Sequence, residues 1–68
     1  MADHESEPML RWFTYDHLSE PMRTVSKSFA WLADEIVECV PRSPERTVSL
    51  RKLLESKDAA VRASIPEP

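Results

Sequence analysis

The chain has 68 residues, a formal net charge of −3 and a single cysteine. A chain of this length forms at most one domain, and a monomer of this size buries only about 60% of the surface that its unfolded chain exposes. Since Cys39 has no partner within the chain, an internal disulfide and a cysteine-based zinc site are both excluded. Association between copies is the remaining way to bury more surface.

The acidic balance argues against DNA as a partner, because long nucleic acids bind mainly to basic residues that displace phosphate counterions. No stretch approaches the roughly 20 apolar residues of a membrane-spanning helix, and the acidic first residues are unlike a secretory signal. His4 and His17 stand apart from any ligand-like spacing. We therefore expect no metal, no cofactor, no membrane contact and a reducing cytoplasm.

The N-terminal part of the chain divides into a tail and an aromatic segment. Residues 1–9 are polar and acidic, and we expect them to be disordered. The aromatic arm, "WFTY" at 12–15, follows and holds three of the five aromatic residues of the chain. The single domain is predicted to span 10–66, with 67–68 as a second tail, and the absence of glycine favours helices within it.

The first helix is predicted at about residues 20–40. Ser19 is a suitable N-cap, Pro21 is tolerated in a first turn, and Pro41 disfavours helical geometry in the residue before it. Apolar side chains recur at spacings of three and four and predict a core-facing stripe. The stripe consists of Met22, Val25, Phe29, Leu32, Ile36 and Cys39.

The second helix is predicted at about residues 44–65. It begins at "SPER", where Ser43 is the N-cap, Pro44 takes the first position and Glu45 lies near the positive end of the dipole. Its apolar face consists of Leu50, Leu53, Leu54, Ala60, Val61 and Ile65. Because only "PRS" joins the helices, the predicted fold is all-α: an antiparallel helical hairpin with an aromatic N-terminal arm, assembled as a homo-oligomer.

The charges of the first helix run against its dipole. Arg23 and Lys27 lie one turn apart in its first half, while Asp34, Glu35 and Glu38 lie in the second half. These cations, with the free N–H groups of the helix start, predict a phosphate site, although solvated side chains or pairing with a neighbouring subunit remain alternatives. Tyr15 lies four residues before Ser19 and can fold over the helix start. A ligand made of a base and a phosphate suits this set, although a hydrophobic staple is an alternative use of the aromatic residues.

Two other functions stay open on the residues alone. Paired carboxylates three residues apart on facing helices can hold Mg²⁺, and they resemble the pairs of all-α nucleotide pyrophosphohydrolases. These carboxylates belong to Glu35, Glu38, Glu55 and Asp58. The third function is a helical dimerisation or adaptor module, which accounts for the apolar stripes alone.

The order of several short motifs resembles a known family. The motifs are "FTY" at 13–15, "MRTVSKSFAWLADEIVECVP" at 22–41 and "SPERTVSLRKLLES" at 43–56. Together they are similar to the small phage cyclic-oligonucleotide sponges that defeat CBASS immunity, over roughly residues 12–65. In the second helix, "DAAV" stands where that family has a tryptophan-containing segment.

The resemblance implies a non-catalytic hexamer in the cytoplasm of the bacterial host. Such proteins sequester cyclic dinucleotides of the 3′,3′-cGAMP type, and often cyclic trinucleotides, in pockets between subunits. On the matching positions, Tyr15 would stack on a base, Lys27 would contact phosphate, and Arg23 would assist on the same helix face. Arg62 is the one candidate for a second, trinucleotide site.

Overall fold

The computed structural model describes residues 7–66, and this part of the chain is all-helical, with no strand. A short 3₁₀ helix at Pro8–Phe13 is followed by α1 at Met22–Cys39 and α2 at Pro44–Ala63. None of these helices is both long and apolar enough to span a membrane. The all-α prediction is confirmed, and the predicted tails at 1–6 and 67–68 lie outside the described residues.

The start of α1 differs from the prediction that Ser19 caps it. Pro21, which follows a cis peptide bond, occupies the N-cap position and supplies no side-chain cap. Instead, the Glu20 carboxylate accepts hydrogen bonds from the backbone N–H of Thr24, at 3.3 Å, and from the Thr24 hydroxyl. A carboxylate beside the positive end of the helix dipole stabilises the first turn. The prediction of Ser19 as side-chain cap is therefore wrong, and Glu20 fills that role.

The end of α1 and the start of α2 follow from local signals in the sequence. Val40 is the extended C-cap residue of α1, directly before Pro41. The Ser43 hydroxyl accepts a hydrogen bond from the backbone N–H of Arg46 at 3.1 Å, and Pro44 takes the first position of α2. The predicted cap at Ser43 is confirmed. A connection this short turns the chain back on itself, so α1 and α2 pack together in a hairpin-like arrangement.

Residues 7–9, which belong to the tail predicted at 1–9, lie against the hairpin. The Glu7 side chain is buried, and Pro8 begins the 3₁₀ helix, which contacts both α1 and α2. Glu7 forms a buried ion pair with Arg46, which composition alone does not reveal. These contacts hold the aromatic arm against the hairpin.

The buried face of α1 is not the predicted apolar stripe. Its buried residues are Ser26, Ala30, Ala33 and Val37. At 100° per residue, the predicted stripe is centred roughly 100° around the helix from this face. Within the stripe, Leu32 is 46% exposed and Cys39 is exposed, while Phe29 and Ile36 only border the core. The prediction is wrong because the buried face of α1 consists mostly of small side chains, which a pattern of large apolar residues does not detect, and Phe29 and Ile36 of the stripe lie at the edge of the core.

The aromatic arm divides between core and surface. Phe13 is 3% exposed and joins Ala30, Ala33, Val37 and Leu50 in the core cluster. Trp12 is 53% exposed, and the guanidinium of Arg11 lies 4.9 Å from its ring centroid. Phe13 is therefore the residue that fixes the arm to the helices.

Arg46 connects three parts of the fold from a fully buried position. Its Nη2 donates to Oε1 of Glu7 at 2.8 Å, and its Nη1 donates to the carbonyls of Val40 at 3.1 Å and Val37 at 3.4 Å. These carbonyls lie at the C-terminal end of α1, where the dipole favours a cation. The cation that is absent from the last turn of α1 is thus supplied by the first turn of α2.

Candidate functional site

A cavity of about 390 Å³ lies between the end of the aromatic arm and the first turns of α1. It is lined by Tyr15, Asp16, Glu20, Arg23, Thr24 and Lys27. The three side chains that the sequence analysis assigns to the main ligand site therefore border one space. Their role in binding stays a prediction.

Tyr15 is held at the cavity by its place between the core and a tight turn. Its carbonyl accepts a hydrogen bond from the backbone N–H of Leu18 at 3.0 Å. Its ring is partly buried and packs against the core cluster, so only part of it faces the cavity. A ring fixed in this way offers a preorganised surface for stacking, because little side-chain freedom is lost on binding.

Arg23 and Lys27 project from one face of α1 because they are four residues apart. The Nε of Arg23 lies 3.4 Å from Oε2 of Glu20, and both side chains are about half exposed. The Nζ of Lys27 lies 5.0 Å from the centroid of the Trp31 ring, and within 7–66 it forms no ion pair. Lys27 is thus the cation of this cavity that no acidic side chain of the described chain engages.

The Glu20 side chain reduces the number of backbone N–H groups at the start of α1 that are available to an anion. Its hydrogen bond from the Thr24 hydroxyl, with smaller contributions from the Thr24 N–H and Arg23, lowers the pKa of the Glu20 carboxyl below its ordinary value. Its carboxylate accepts a hydrogen bond from the N–H of Thr24, while the N–H groups of Arg23 and Val25 donate to backbone carbonyls. The N–H groups of Arg23, Thr24 and Val25 are thus occupied, and the side chains of Arg23 and Lys27 are the main groups of the cavity that a phosphate could contact. Phosphate binding at this helix start stays a prediction.

The cavity is not uniformly positive. Arg23 and Lys27 face the carboxylates of Asp16 and Glu20, so the formal charges of its lining cancel. Neither acidic group was predicted to line the site, and the contact between Lys27 and Trp31 was not predicted either. Two signals were present in the sequence: Glu20 precedes Arg23 and Thr24 at helical spacings, and Trp31 follows Lys27 by four residues.

The second predicted site does not converge on this cavity. Arg62 lies exposed in the last turn of α2 and is not among the residues that line the cavity. No other observation within 7–66 assigns Arg62 a ligand. Its role stays a prediction.

The carboxylates of the magnesium alternative are not assembled into a site. Within residues 7–66, no group of three or more His, Cys, Asp or Glu side chains is placed to hold a metal ion. Glu55 lies 4.0 Å from Nζ of Lys52, and Asp58 lies 3.0 Å from Nζ of Lys57. None of the four carboxylates of this alternative thus belongs to such a group, and two of them lie beside lysines.

Comparisons of the chain with protein-family models, with curated proteins and with solved structures find no match. The interpretation of the cavity therefore depends on the side chains that line it and on their contacts.

Proposed function

We propose that this protein binds cyclic dinucleotides and holds them without chemical change. In this role it acts as a phage sponge that removes CBASS signals from the cytoplasm of the bacterial host. The observation that carries the proposal is the cavity bordered by one partly fixed aromatic ring, Tyr15, and two cations, Arg23 and Lys27. A flat ring beside positive charge is the combination that a base joined to a phosphate requires.

The two kinds of side chain have separate tasks in this proposal. A base stacks on the Tyr15 ring, and a phosphate lies against the ammonium of Lys27, which no acidic side chain of 7–66 neutralises. Arg23 is held by Glu20 and presents its remaining guanidinium N–H groups to the ligand. None of these groups is a nucleophile poised beside a base, so the cavity favours retention of the ligand over its conversion.

The size of the cavity favours a site completed by a second copy of the chain. Its volume of about 390 Å³ lies near the lower end of the roughly 300–1,000 Å³ typical of small-molecule pockets. A ligand with two bases and two phosphates would extend beyond it. A second subunit would cover the exposed half, as in the pockets between subunits that the family resemblance implies.

The uncovered stripe of α1 is our candidate for the contact between copies. Phe29, Leu32 and Ile36 lie along one side of α1, and Leu32 is 46% exposed. A shallow apolar depression of about 210 Å³ runs between Ser28, Phe29 and Leu32. Since a single small domain hides little apolar surface, association through this stripe would supply the missing burial. A homo-oligomer, hexameric if the resemblance holds, is therefore part of the proposal.

A charge placed in the stripe tests this assembly. We expect Leu32→Glu to convert the oligomer into a monomer, because association would bury the added carboxylate without a partner. The matched control is Ile65→Glu, since Ile65 is 49% exposed and lies beyond the end of α2. Sedimentation velocity gives the mass of each variant, and circular dichroism checks that the helices remain. An unchanged mass for Leu32→Glu would remove the stripe from the interface.

The binding function is tested by a ligand panel with recovery of the ligand. We expect calorimetry to show a Kd below about 1 μM for at least one 3′,3′-linked cyclic dinucleotide, and no binding of linear dinucleotides of the same bases. Cyclic trinucleotides in the same panel test whether a second kind of site exists. Mass spectrometry of the ligand released by heat is expected to return it intact.

The same panel separates the three functional classes. Linear or hydrolysed products that appear only with Mg²⁺ would favour the nucleotide pyrophosphohydrolase. An absence of heat with every nucleotide, in a protein that still associates, would favour the helical adaptor. Intact recovery of a tightly bound cyclic dinucleotide is the result that the sponge alone predicts.

A further inference from the structure

Asp16 places a carboxylate without a partner in a cavity proposed for an anionic ligand. Within residues 7–66, its side chain forms no hydrogen bond and no ion pair. The other carboxylate of the cavity is different, because Glu20 is engaged by Thr24 and Arg23. The capping of α1 therefore accounts for Glu20 and leaves Asp16 without a structural task.

An ionised carboxylate of this kind selects among ligands. It only accepts hydrogen bonds, so it repels a phosphate and is favourable only when the ligand brings donors to it. In a nucleotide, the base supplies the donors. Asp16 follows Tyr15 directly and lines the same cavity, so its carboxylate is within the space that the edge of a base stacked on the Tyr15 ring would enter.

The common bases differ in what their Watson–Crick edges offer to two carboxylate oxygens. Guanine presents two adjacent donors, N1–H and the 2-amino group, which match the two oxygens of one carboxylate. Adenine and cytosine present one amino group beside a ring nitrogen that accepts, and uracil presents one N–H between two carbonyl oxygens. In these three bases an acceptor lies against the carboxylate, so repulsion offsets the single hydrogen bond that each can form.

From this geometry we propose that Asp16 makes the cavity selective for guanine, so that the bound cyclic dinucleotide contains at least one guanine stacked on Tyr15. The inference rests on the proposed binding of cyclic dinucleotides and names the ligand class of that same site. It assigns Asp16 the role of a specificity determinant that contacts the base, separate from the contact of Lys27 with phosphate. This role also gives a function to the negative charge of Asp16, which brings the formal charge of the cavity lining to zero.

The test compares three ligands with the same backbone: 3′,3′-cyclic di-GMP, its inosine analogue, which lacks the 2-amino groups, and 3′,3′-cyclic di-AMP. By calorimetry, the wild-type protein is expected to bind the guanine ligand about 10- to 100-fold more tightly than the adenine ligand. The inosine ligand is expected to fall between them, because it keeps N1–H and loses the second donor. Asp16→Asn and Asp16→Ala are expected to bring the ratio of guanine to adenine affinity close to one.

The control is Asp58→Asn, which removes a carboxylate of α2 that does not line the cavity and is expected to keep the wild-type ratio. Equal affinity of the wild-type protein for all three ligands would overturn the role of Asp16 and leave the binding function standing. A guanine preference that is retained in both Asp16 variants would likewise overturn the role of Asp16 and leave the binding function standing. Failure of the wild-type protein to bind any of the three would instead overturn the proposed function, and this inference with it.

Discussion

Arg46→Ala is expected to lower the free energy of unfolding by about 3–5 kcal/mol, the loss typical of a buried ion pair from which one partner is removed. Arg46 is 1% exposed, and its Nη2 lies 2.8 Å from the carboxylate of Glu7, which is 5% exposed. Without the guanidinium, the Glu7 carboxylate remains buried but has lost its positively charged partner. The carbonyls of Val37 and Val40 lose their donor as well.

The effect is large relative to the stability of the whole domain. At about 0.05–0.15 kcal/mol per residue, a domain of this length has a free energy of unfolding of only about 3–10 kcal/mol. Urea unfolding followed by circular dichroism measures the change. Arg51→Ala is the matched control, since Arg51 is exposed on the same helix, and its effect is expected to stay within about 0.5 kcal/mol. Equal midpoints for the two variants would show that the buried pair does not stabilise the fold.

A milder variant keeps the test informative if Arg46→Ala does not fold. Glu7→Gln retains the shape of the side chain and a hydrogen-bond acceptor but removes the charge, so the loss is expected to be smaller than for Arg46→Ala. The double variant Glu7→Gln, Arg46→Met is expected to lose less than the sum of its single changes, because the two residues contact each other. Additive losses would mean that Arg46 acts through the carbonyls of α1 alone.

The boundaries of the helices were predictable because their causes are local. Ser43 and Pro44 determine the start of α2 by their own hydrogen bonding and backbone geometry, and Pro41 follows the last turn of α1 directly. Any sequence method that reads caps and prolines finds these features. The start of α1 was less predictable, because Ser19 is a common cap residue, whereas the first turn is capped by the adjacent Glu20 side chain through Thr24.

The buried face of α1 was not predictable from hydrophobicity, because periodicity weighs large apolar side chains most heavily. The buried face instead consists of Ser26, Ala30, Ala33 and Val37, most of which have small side chains. A serine at 0% exposure has no place in an apolar pattern. The difference between the predicted stripe and the buried face identifies the large apolar residues of α1 that remain available for contact with another copy.

The buried pair of Glu7 and Arg46 was beyond any local pattern, because 39 residues separate its members. Each alone resembles an ordinary surface charge in a chain with many charges. The residues that border the cavity were easier to find, because Tyr15, Arg23 and Lys27 all lie in the short segment 15–27 around the start of α1. What the sequence did not show is that the Glu20 carboxylate accepts a hydrogen bond from the backbone N–H of Thr24 at that start.

Lys27→Ala is expected to weaken the binding of 3′,3′-cGAMP, or of the tightest cyclic dinucleotide of the panel, by about 10- to 150-fold. This corresponds to the roughly 1.5–3 kcal/mol of a hydrogen bond to a charged group. Lys27 is a cleaner target than Tyr15, because the Tyr15 ring also packs against the core and its removal would disturb the fold. The contact between Lys27 and the 62% exposed ring of Trp31 is worth only about 0.5–1 kcal/mol at an exposed site.

Lys52→Ala is the matched control, because it removes the same charge from a side chain that is 72% exposed on α2. It is expected to leave the affinity unchanged, which excludes an effect of net charge alone. Thermal unfolding and sedimentation of both variants check that fold and assembly are retained. The affinity of the wild-type protein is also expected to fall as salt is raised, and that of Lys27→Ala to fall less, because one charge contact is already lost. Equal affinities for the two variants would exclude Lys27 as the phosphate contact and leave Arg23 as the cation of the cavity to test next.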